Sequence, residues 1–262
     1  MGIDRRLYNC LKIIYLVYIT EKMAGLFFWM KVTNATFAKN RLCLMLGSTL
    51  DLTALRENYA RQTLSETDVL PDPMAQFDAW FRETLDSQLR EPNAMALATA
   101  TRAGRPSART VLLKGFDALG FVFYTNYDSQ KGQELAENPH AALLFTWLEL
   151  ERQIRVEGPV EKITAAESLA YFQTRPKASQ IGAWASPQSR VVADRATLEA
   201  AAAQLRDQYA TDDVLPLPPA WGGYRLRPDA FEFWQGRRSR LHDRIHYSLL
   251  SEGNWRIVRL AP

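Results

Sequence analysis

The chain has 262 residues, of which 47% are hydrophobic, and 32 Lys and Arg residues stand against 29 Asp and Glu residues. This length and apolar content are enough to bury a sizeable core, in one large domain or two small ones. The formal net charge of +3 is too even for a general nucleic-acid binder, which carries a domain-wide basic excess, so any recognition of anions must be local.

Cysteine and histidine are scarce, which limits metal and redox chemistry. The two cysteines, Cys10 and Cys43, lie outside the predicted folded body. This placement disfavours a disulfide scaffold or a cysteine-ligated metal site and suits a reducing cytoplasm, where we expect the protein to reside. The three histidines belong to no HExxH pattern and no CxxC pair occurs, so we expect no catalytic metal.

The N-terminal residues differ in character from the rest. Leu11 to Ile19 and Leu26 to Met30 are apolar runs, but neither approaches the roughly 20 residues needed to cross a bilayer. A basic pair precedes the first run as in a signal peptide, yet no small-residue cleavage site comes after it. We interpret residues 1–45 as an extension outside the fold, upstream of a natural start at Met45, and residues 46–262 as a single domain. A weak membrane-surface or partner helix is the alternative for the extension.

Helical periodicity opens the predicted domain. Asp51 to Tyr59 is predicted to form a short helix that places Arg56 beside Tyr59. Asp72 and Pro73 then supply a cap and a first-turn proline for an amphipathic helix from Met74 to Leu89, whose aromatic residues we assign to the core.

Beyond Pro92 the apolar residues follow the two-residue period of strands. The predicted strands are Met95 to Thr101, Ser107 to Gly115, Phe121 to Thr125, Ala141 to Trp147, Arg152 to Glu157, Trp221 to Leu226, Ala230 to Trp234 continuing through a basic stretch, and Trp255 to Leu260. Helices are predicted at Gln130 to Glu137, Ala165 to Thr174 and Asp194 to Tyr209. Strands in hairpin succession, with no βαβ alternation, predict a mainly β fold: an antiparallel barrel with peripheral helices.

The basic stretch, residues 237–247, is the most unusual segment. If it is extended, Arg238, Arg240, His242, Arg244 and His246 share one face. Like charges along one strand face repel one another, so such a row needs acidic neighbours or a bound anion. Arginine suits phosphate and carboxylate because of its planar fork of donors. A solvated basic edge strand, which protects against aggregation, is the alternative.

Three further clusters could take part in chemistry, and the second and third have the composition of anion sites. Residues 109–114, RTVLLK, place a cation at each end of an apolar strand, which is also common where a strand simply ends at solvent. Residues 129–131, Ser-Gln-Lys, enter a helix where backbone N–H groups, a hydroxyl and an ammonium can hold phosphate, although Ser is an ordinary N-cap. Tyr171, Arg175 and Ser179 combine hydroxyls and a guanidinium, but Pro176 favours a helix end followed by a loop, where an arginine simply answers the helix dipole. The last two clusters, taken with the basic stretch, suggest two phosphorylated ligands.

From about Leu55 to Pro262 the chain resembles the pyridoxamine 5′-phosphate oxidase family of flavin enzymes. Several motifs carry the resemblance in the same order: RTVLLK at 109–114, FYTN at 123–126, ERQIRVEG at 151–158, YFQTRPKASQIGAWAS at 171–186, PQS at 187–189, WGGYR at 221–225, FEFWQG at 231–236, RLHDR at 240–244 and a terminal RLAP. The resemblance implies a split β-barrel homodimer that binds FMN in clefts at the subunit interface.

The resemblance also implies which residues meet each ligand. FMN would be held by Arg109, Thr110, Val111, Leu112, Leu113, Lys114, Tyr124, Thr125, Gln130, Lys131, Gln153, Gln188, Ser189, Trp234 and Arg244. The substrate would be held by Arg56, Tyr59, Lys114, Tyr171, Arg175, Ser179, Arg240, Leu241 and His242, with Arg240 and His242 over its pyridine ring as the catalytic pair. The family often has Arg where this chain has Gln130, so the affinity for FMN is in question there.

The implied reaction is the FMN-dependent oxidation of pyridoxamine or pyridoxine 5′-phosphate to pyridoxal 5′-phosphate, with O2 as acceptor. It would give hydrogen peroxide, and ammonia from the amine, and would serve vitamin B6 metabolism. We expect no nucleic-acid or membrane partner. Two alternatives remain: a flavin- or haem-binding split barrel without oxidase activity, and a nucleic-acid binder that uses the basic stretch, which predicts salt-sensitive binding and no flavin.

Overall fold

A ten-stranded antiparallel sheet organises the chain in the computed structural model, which describes residues 59–262. The strands are β1 (Ala94–Ala100), β2 (Pro106–Leu112), β3 (Gly115–Asp117), β4 (Gly120–Asn126), β5 (His140–Trp147), β6 (Arg152–Lys162), β7 (Trp221–Leu226), β8 (Ala230–Gln235), β9 (Asp243–Leu249) and β10 (Trp255–Arg259). The proposed extension and the residues predicted as a helix at 51–58 lie outside the described residues, and so does Arg56. Those interpretations stay predictions.

The sheet curls because one long strand, β6, takes part in two sets of pairings. The main path runs in the order β10-β9-β8-β6-β5-β1-β2. The last residues of β6 pair instead with β7, which pairs with β4. The Lys114 N–H donates to the Val122 carbonyl at 2.9 Å, so the chain leaving β2 returns to β4. The result is a half-barrel, and the predicted mainly β split-barrel fold is confirmed.

Aromatic side chains fill the barrel. Phe77 contacts Phe121, Phe145 and Phe116 with ring centroids 4.8 to 5.1 Å apart. Phe77 belongs to helix α1 (Pro73–Asp86), which begins where the Asp72 carboxylate accepts a hydrogen bond from the Met74 N–H. The amphipathic pattern of this helix therefore predicted its buried face correctly.

Four more helices lie around the barrel: α2 (Gln130–Glu137), α3 (Ala165–Thr174), α4 (Lys177–Ala185) and α5 (Arg195–Gln208). Helices α2 and α3 have the predicted bounds, and Ser129 and Thr164 cap them. The loop predicted after Pro176 is wrong, because α4 begins directly behind the proline, which serves as its N-cap. Helices α3 and α4 enclose a second small core with Phe172, Ile181 and Trp221.

The basic stretch does not continue β8 as a single strand. Strand β8 ends at Gln235 and β9 begins at Asp243, with a short 3-10 turn at Arg238–Arg240 between them. Ser239 and Arg240 have φ angles of 57° and 61°, which a continuous strand does not contain. A Cβ on Gly236 would lie 2.8 Å from Tyr59, so glycine permits the close packing that ends the strand. The predicted row of five basic side chains on one face is therefore wrong.

No helix within residues 59–262 is both long and apolar enough to cross a membrane. In the same part of the chain no group of three or more His, Cys, Asp or Glu side chains is placed to bind a metal ion.

Candidate functional site

A cavity of about 520 Å³ lies between the edge strand β2, strand β4 and helices α2 to α4. Its wall contains residues from all three clusters singled out in the sequence, brought together by the fold. The lining residues are Arg109, Thr110, Val111, Leu112, Lys114, Tyr124, Thr125, Lys131, Tyr171, Arg175, Pro176, Ser179, Gln188 and Trp221. This wall holds cations and hydroxyls but no carboxylate, so it is complementary to anionic ligands.

Strand β2 forms one side of the cavity. It is the terminal strand of the main sheet path, so one edge of its backbone faces the cavity rather than another strand of that path. Leu113 differs from its neighbours because its side chain is buried in the barrel core. Lys114 is exposed at the end of the strand, where its ammonium can reach a bound anion.

Lys131 brings a buried ammonium to the cavity from the first turn of α2. Its Nζ donates to Thr125 Oγ1 at 3.2 Å and to Gln188 Oε1 at 3.0 Å, and it lies 3.4 Å from Ser129 Oγ. Burial lowers the pKa of Lys131, and the positive charge of Arg109 lowers it further. The described partners of this ammonium are all neutral, so a bound anion would stabilise its charge.

We expect Lys131→Met to stabilise the ligand-free protein at pH 7 by ~1 kcal/mol, which raises Tm by about 2–4 °C. A Lys pKa that is lowered by folding penalises the folded state at pH below the lowered value. The penalty shrinks as the pH rises through it, because the unfolded chain then binds more protons. Calorimetry at pH 7 and pH 10 should therefore show a smaller gain at pH 10. Lys162→Met, which removes an exposed ammonium over the Tyr127 ring, should give no gain; an equal gain would contradict the argument.

Three nearly parallel aromatic rings form a cluster in the cavity wall. The centroids of Tyr124 and Tyr171 are 4.0 Å apart, and those of Tyr124 and Trp221 are 5.3 Å apart with an interplanar angle of 11°. Burial raises the pKa of both tyrosines. Both hydroxyls therefore stay protonated at neutral pH and can donate hydrogen bonds to an anion.

Arg175 is held by aromatic faces rather than by carboxylates. Its Cζ lies 4.8 Å from the centroid of Trp221 and 5.6 Å from that of Phe172. Its Nη1 is buried without a hydrogen-bond partner among residues 59–262, and burial lowers the pKa of the guanidinium. A buried donor without an acceptor is costly, so this nitrogen indicates a ligand oxygen. Ser179, on the first turn of α4, lines the cavity beside it.

The loop after α4 contributes an amide to the cavity. Gln188 Oε1 accepts from both Thr125 Oγ1 and Lys131 Nζ at 3.0 Å. Ser189, the next predicted cofactor residue, has a φ of 68° but does not line the cavity of this chain.

A second group of predicted site residues lies on β6, β8 and β9, away from the cavity lining. Trp234 packs against His242 with centroids 4.6 Å apart, and the Tyr59 ring lies 5.8 Å from each. Gln153 pairs with Trp234 across the sheet. Arg240 and Leu241 lie in the turn that precedes His242, and both are exposed. In the main sheet path β1, β5 and β6 separate β2 from β8.

Acidic neighbours neutralise part of the positive charge of the basic stretch. The sequence had left open whether acidic neighbours or a bound anion would do so. Glu232, buried at 3% exposure, accepts from Arg244 Nε at 2.8 Å and Nη2 at 2.9 Å, and Arg155 lies 3.1 Å away. Asp243 pairs with Arg237 at 3.0 Å. Glu232 did not enter the predicted site, although a lone acid in the aromatic run FEFW was a signal that it had a cationic partner.

Glu134 is a second residue that sequence reasoning missed. It is buried in α2 and accepts hydrogen bonds from Arg109 and from Gln130, whose Nε2 lies 2.9 Å from Glu134 Oε1. Gln130 therefore contacts Glu134 and does not line the cavity. The signal in the sequence was the i, i+4 spacing of Gln130 and Glu134 on the helix.

The cations of the cavity wall form two groups near different helices, which we name the α2 end and the α4 end. Lys131 and Arg109 lie at the α2 end, and Arg175 with Tyr171 and Ser179 lies at the α4 end. Lys114 is the remaining lining cation. Such an arrangement fits two phosphate groups, or a phosphate-bearing cofactor next to a phosphate-bearing substrate.

Comparison with known proteins identifies similar chains. The family model described as "Pyridoxamine 5′-phosphate oxidase" matches residues 81–209, and the one described as "Pyridoxine 5′-phosphate oxidase C-terminal dimerisation region" matches residues 221–262. Proteins named pyridoxine/pyridoxamine 5′-phosphate oxidase from Paraburkholderia phymatum and Cupriavidus metallidurans are 58% and 59% identical to this chain. Each alignment covers 80% of this chain and 99% of the relative.

Solved structures are also similar to this chain. The crystal structure of PhzG from Burkholderia lata 383, in complex with tetrahydrophenazine-1-carboxylic acid, is 33% identical with a TM-score of 0.72, over 77% of this chain and 98% of that one. An FMN-binding protein related to pyridoxamine 5′-phosphate oxidase, from Nostoc punctiforme, is 19% identical with a TM-score of 0.59, over 73% and 98%. The second likeness concerns the fold alone.

Proposed function

The chain belongs to the pyridoxamine 5′-phosphate oxidase family, and on this premise we propose that it oxidises pyridoxamine and pyridoxine 5′-phosphate to pyridoxal 5′-phosphate. FMN would be the cofactor and O2 the final acceptor, with hydrogen peroxide as a product and ammonia released from the amine. The observation that carries the proposal is a cavity with cations at both its α2 end and its α4 end. At the α4 end, the buried Arg175 Nη1 has no hydrogen-bond partner among the described residues.

The α2 end of the cavity fits the phosphate of FMN. Lys131 supplies a buried ammonium with neutral partners, and Arg109 adds a second cation from β2. Residues 110–112, Tyr124 and Thr125 also line the cavity and would contact the rest of the cofactor. Bound FMN would accept the hydride that leaves C4′ of the substrate.

The α4 end fits the phosphate of the substrate. Arg175 has a buried Nη1 that needs an acceptor, and phosphate oxygens are suitable partners for a guanidinium. Tyr171 and Ser179 add hydroxyl donors, and Lys114 adds an exposed ammonium. These groups would bind and orient the substrate while leaving its reacting carbon free.

We propose that the chain acts as a homodimer and that each cavity is completed by a second copy. Support comes from the match of residues 221–262 to a dimerisation region and from the position of β8 and β9 outside the cavity lining. The β8–β9 hairpin of the second copy would bring Trp234, Arg240, Leu241, His242 and Arg244 to the cofactor and the pyridine ring. Arg240 would orient the substrate and His242 would hold or move a proton beside it.

His242 is prepared for that role as a neutral imidazole. Burial lowers its pKa, and the charge of Arg240 lowers it further, while Asp243 acts in the opposite direction. Its Nδ1 accepts a hydrogen bond from the Arg237 N–H at 3.1 Å, and a neutral ring can accept there only if the proton sits on Nε2. Acidification through the lowered pKa would break this bond.

We expect Arg240→Leu to raise the pKa of His242 toward its ordinary value, because it removes a nearby positive charge. The measurement is an NMR titration of the His242 ring proton in the wild type and the variant. Arg256→Leu, which removes an exposed arginine of β10, serves as the control and should leave the titration unchanged. A pKa that falls or stays constant in the Arg240 variant would contradict the assigned interaction.

Oxygen consumption by the purified protein tests the proposed function. Pyridoxamine and pyridoxine 5′-phosphate are each supplied with and without added FMN, and aldehyde formation is followed in parallel. The proposal requires oxygen uptake that depends on FMN and yields the aldehyde. Bound flavin without aldehyde would instead support a binding protein of the same architecture, and a failure to bind FMN would overturn the assignment.

A further inference from the structure

A polar network beneath the cavity connects Arg109 to Glu134 through two hydroxyl groups. Arg109 Nη1 donates to the Leu97 carbonyl at 3.0 Å and to Thr99 Oγ1 at 2.5 Å. Its Nη2 donates to Ser107 Oγ and lies 3.2 Å from Glu134 Oε2. Thr99 and Ser107 themselves lie 2.5 and 2.6 Å from the same carboxylate oxygen.

The direction of every hydrogen bond in this network is fixed by chemistry. Hydrogen bonds from Ser107, Thr99, Gln130 and Arg109 outweigh the effect of burial and lower the pKa of Glu134 to about 2, so the carboxylate is ionised and only accepts. A guanidinium only donates. Each hydroxyl must therefore accept from Arg109 and donate to Glu134.

The guanidinium of Arg109 is therefore held by hydrogen bonds to the protein itself, without a ligand. Each of its four Nη hydrogens has an acceptor within residues 59–262, and of its five N–H groups only Nε–H is left for a ligand. An arginine held in this way presents a fixed charge and one fixed donor, which lowers the ordering cost of binding.

Helix α2 couples this network to the cavity. Glu134 follows Lys131 by three residues, so both lie on the same side of the helix. Gln130 Nε2 donates to Glu134 Oε1 at 2.9 Å, so the second carboxylate oxygen is also fixed. Thr99, Ser107 and Glu134 contact Arg109 directly and Gln130 contacts Glu134, and none of these four lines the cavity.

We propose that Glu134 is a positioning residue for the FMN phosphate, holding Arg109 in place through Thr99 and Ser107, and that Gln130 serves this network rather than contacting the cofactor. The proposal rests on the proposed function, since it takes FMN as the ligand of the α2 end. Glu134 and Gln130 thereby gain a role in binding although neither lines the cavity.

The direction in which Glu134→Gln changes the affinity for FMN shows whether Glu134 positions Arg109 or only neutralises its charge. If Glu134 only neutralised Arg109, then Glu134→Gln would make the site more positive and FMN would bind more tightly. If Glu134 positions Arg109, the amide cannot accept all the donors that converge on the carboxylate, Arg109 shifts, and FMN binds more weakly.

The experiment is a titration of FMN-free protein with FMN, followed by flavin fluorescence. We expect Glu134→Gln to raise Kd at least tenfold, equivalent to about 1.4 kcal/mol. Ser107→Ala, which removes a single hydroxyl, should raise Kd by roughly two- to fivefold. Glu137→Gln, the same change at an exposed position of α2, should leave Kd unchanged. Riboflavin, which lacks the phosphate, should bind the wild type and Glu134→Gln equally.

A double-mutant cycle and kinetics complete the test. Arg109→Ala and Arg109→Ala combined with Glu134→Gln should have the same Kd, because Glu134 acts only through Arg109. With saturating FMN, the kcat of Glu134→Gln should return to within about twofold of the wild type. An unchanged or lower Kd in Glu134→Gln, or additive effects in the cycle, would overturn the proposal. If that variant does not fold, an unchanged Kd in Ser107→Ala would overturn it as well. A wild type that binds no FMN would instead overturn the proposed function.

Discussion

Replacing Arg175 with Leu is expected to lower kcat/KM for pyridoxine 5′-phosphate by roughly 10²- to 10³-fold, mainly through a higher KM. Arg175 Nη1 is a buried donor without a partner in the described chain, and removing one member of a buried charge pair costs about 2–5 kcal/mol. The phosphate takes no part in bond breaking, so the loss falls on ground-state and transition-state binding alike. Steady-state kinetics over a wide substrate range measure it.

The Arg175 variant should keep its cofactor and its fold. The FMN Kd should change less than twofold, because Arg175 lies at the other end of the cavity from Lys131. Lys177→Met is the matched control, since it removes a cation two residues away whose ammonium contacts only the Ala210 carbonyl among the described residues. An unchanged KM in Arg175→Leu, or an equal rise in Lys177→Met, would show that the α4 end does not hold the substrate phosphate.

Arg240→Leu is expected to lower turnover by about 10²-fold while changing FMN retention little, because Arg240 would orient the substrate and not the cofactor. Since Arg240 lies outside the cavity of its own chain, the homodimer proposal predicts complementation between two inactive variants. A dimer formed from one Arg175→Leu chain and one Arg240→Leu chain contains one site with both arginines intact. Random assortment should restore about a quarter of wild-type activity, as expected for a two-fold symmetric dimer.

The control for complementation pairs two variants of the same cavity. Arg175 and Lys114 both belong to the cavity wall of a single chain. In a mixed dimer of Arg175→Leu and Lys114→Met, one wall therefore lacks Arg175 and the other lacks Lys114, and neither site is intact. Activity should stay at the level of the two parent variants. Recovery beyond that level with this control, or its absence with Arg175→Leu and Arg240→Leu, would refute the division of the site between two copies. Normal turnover in the Arg240→Leu homodimer would remove Arg240 from the site altogether.

Local signals predicted most of the fold. Helices α2 and α3 and strand β7 have the predicted bounds. In the structure Ser129 and Thr164 cap the two helices, so the start of each is determined by residues next to it. Helix α4 was missed because Pro176 ends one helix and caps the next, and the rule that a proline disfavours helix before it says nothing about the residues after it. Only the packing of Ile181 into the second core distinguishes this helix from a loop.

The site was predictable in its composition but not in its arrangement. Lys131 and Arg175 were singled out because cations beside hydroxyls suit phosphate, Arg109 was implied by the family resemblance, and the fold brings all three to one cavity. Gly236, which precedes the turn at 238–240, packs closely against Tyr59, a contact between residues far apart in the sequence that no local pattern contains. Glu134 and Glu232 each had a local signal of a polar partner, but their arginine partners come from strands that no local pattern identifies.

The double pairing of β6 also limits how the chain can vary in length. Arg152–Glu157 is aligned with β8, and Val160–Lys162 is aligned with β7. One inserted residue between these segments would turn the side chains of one segment to the opposite face of the sheet. Evolutionary insertions and deletions are therefore tolerable in turns such as 101–105, whereas the span of β6 is under a constraint that comes from geometry and is independent of catalysis.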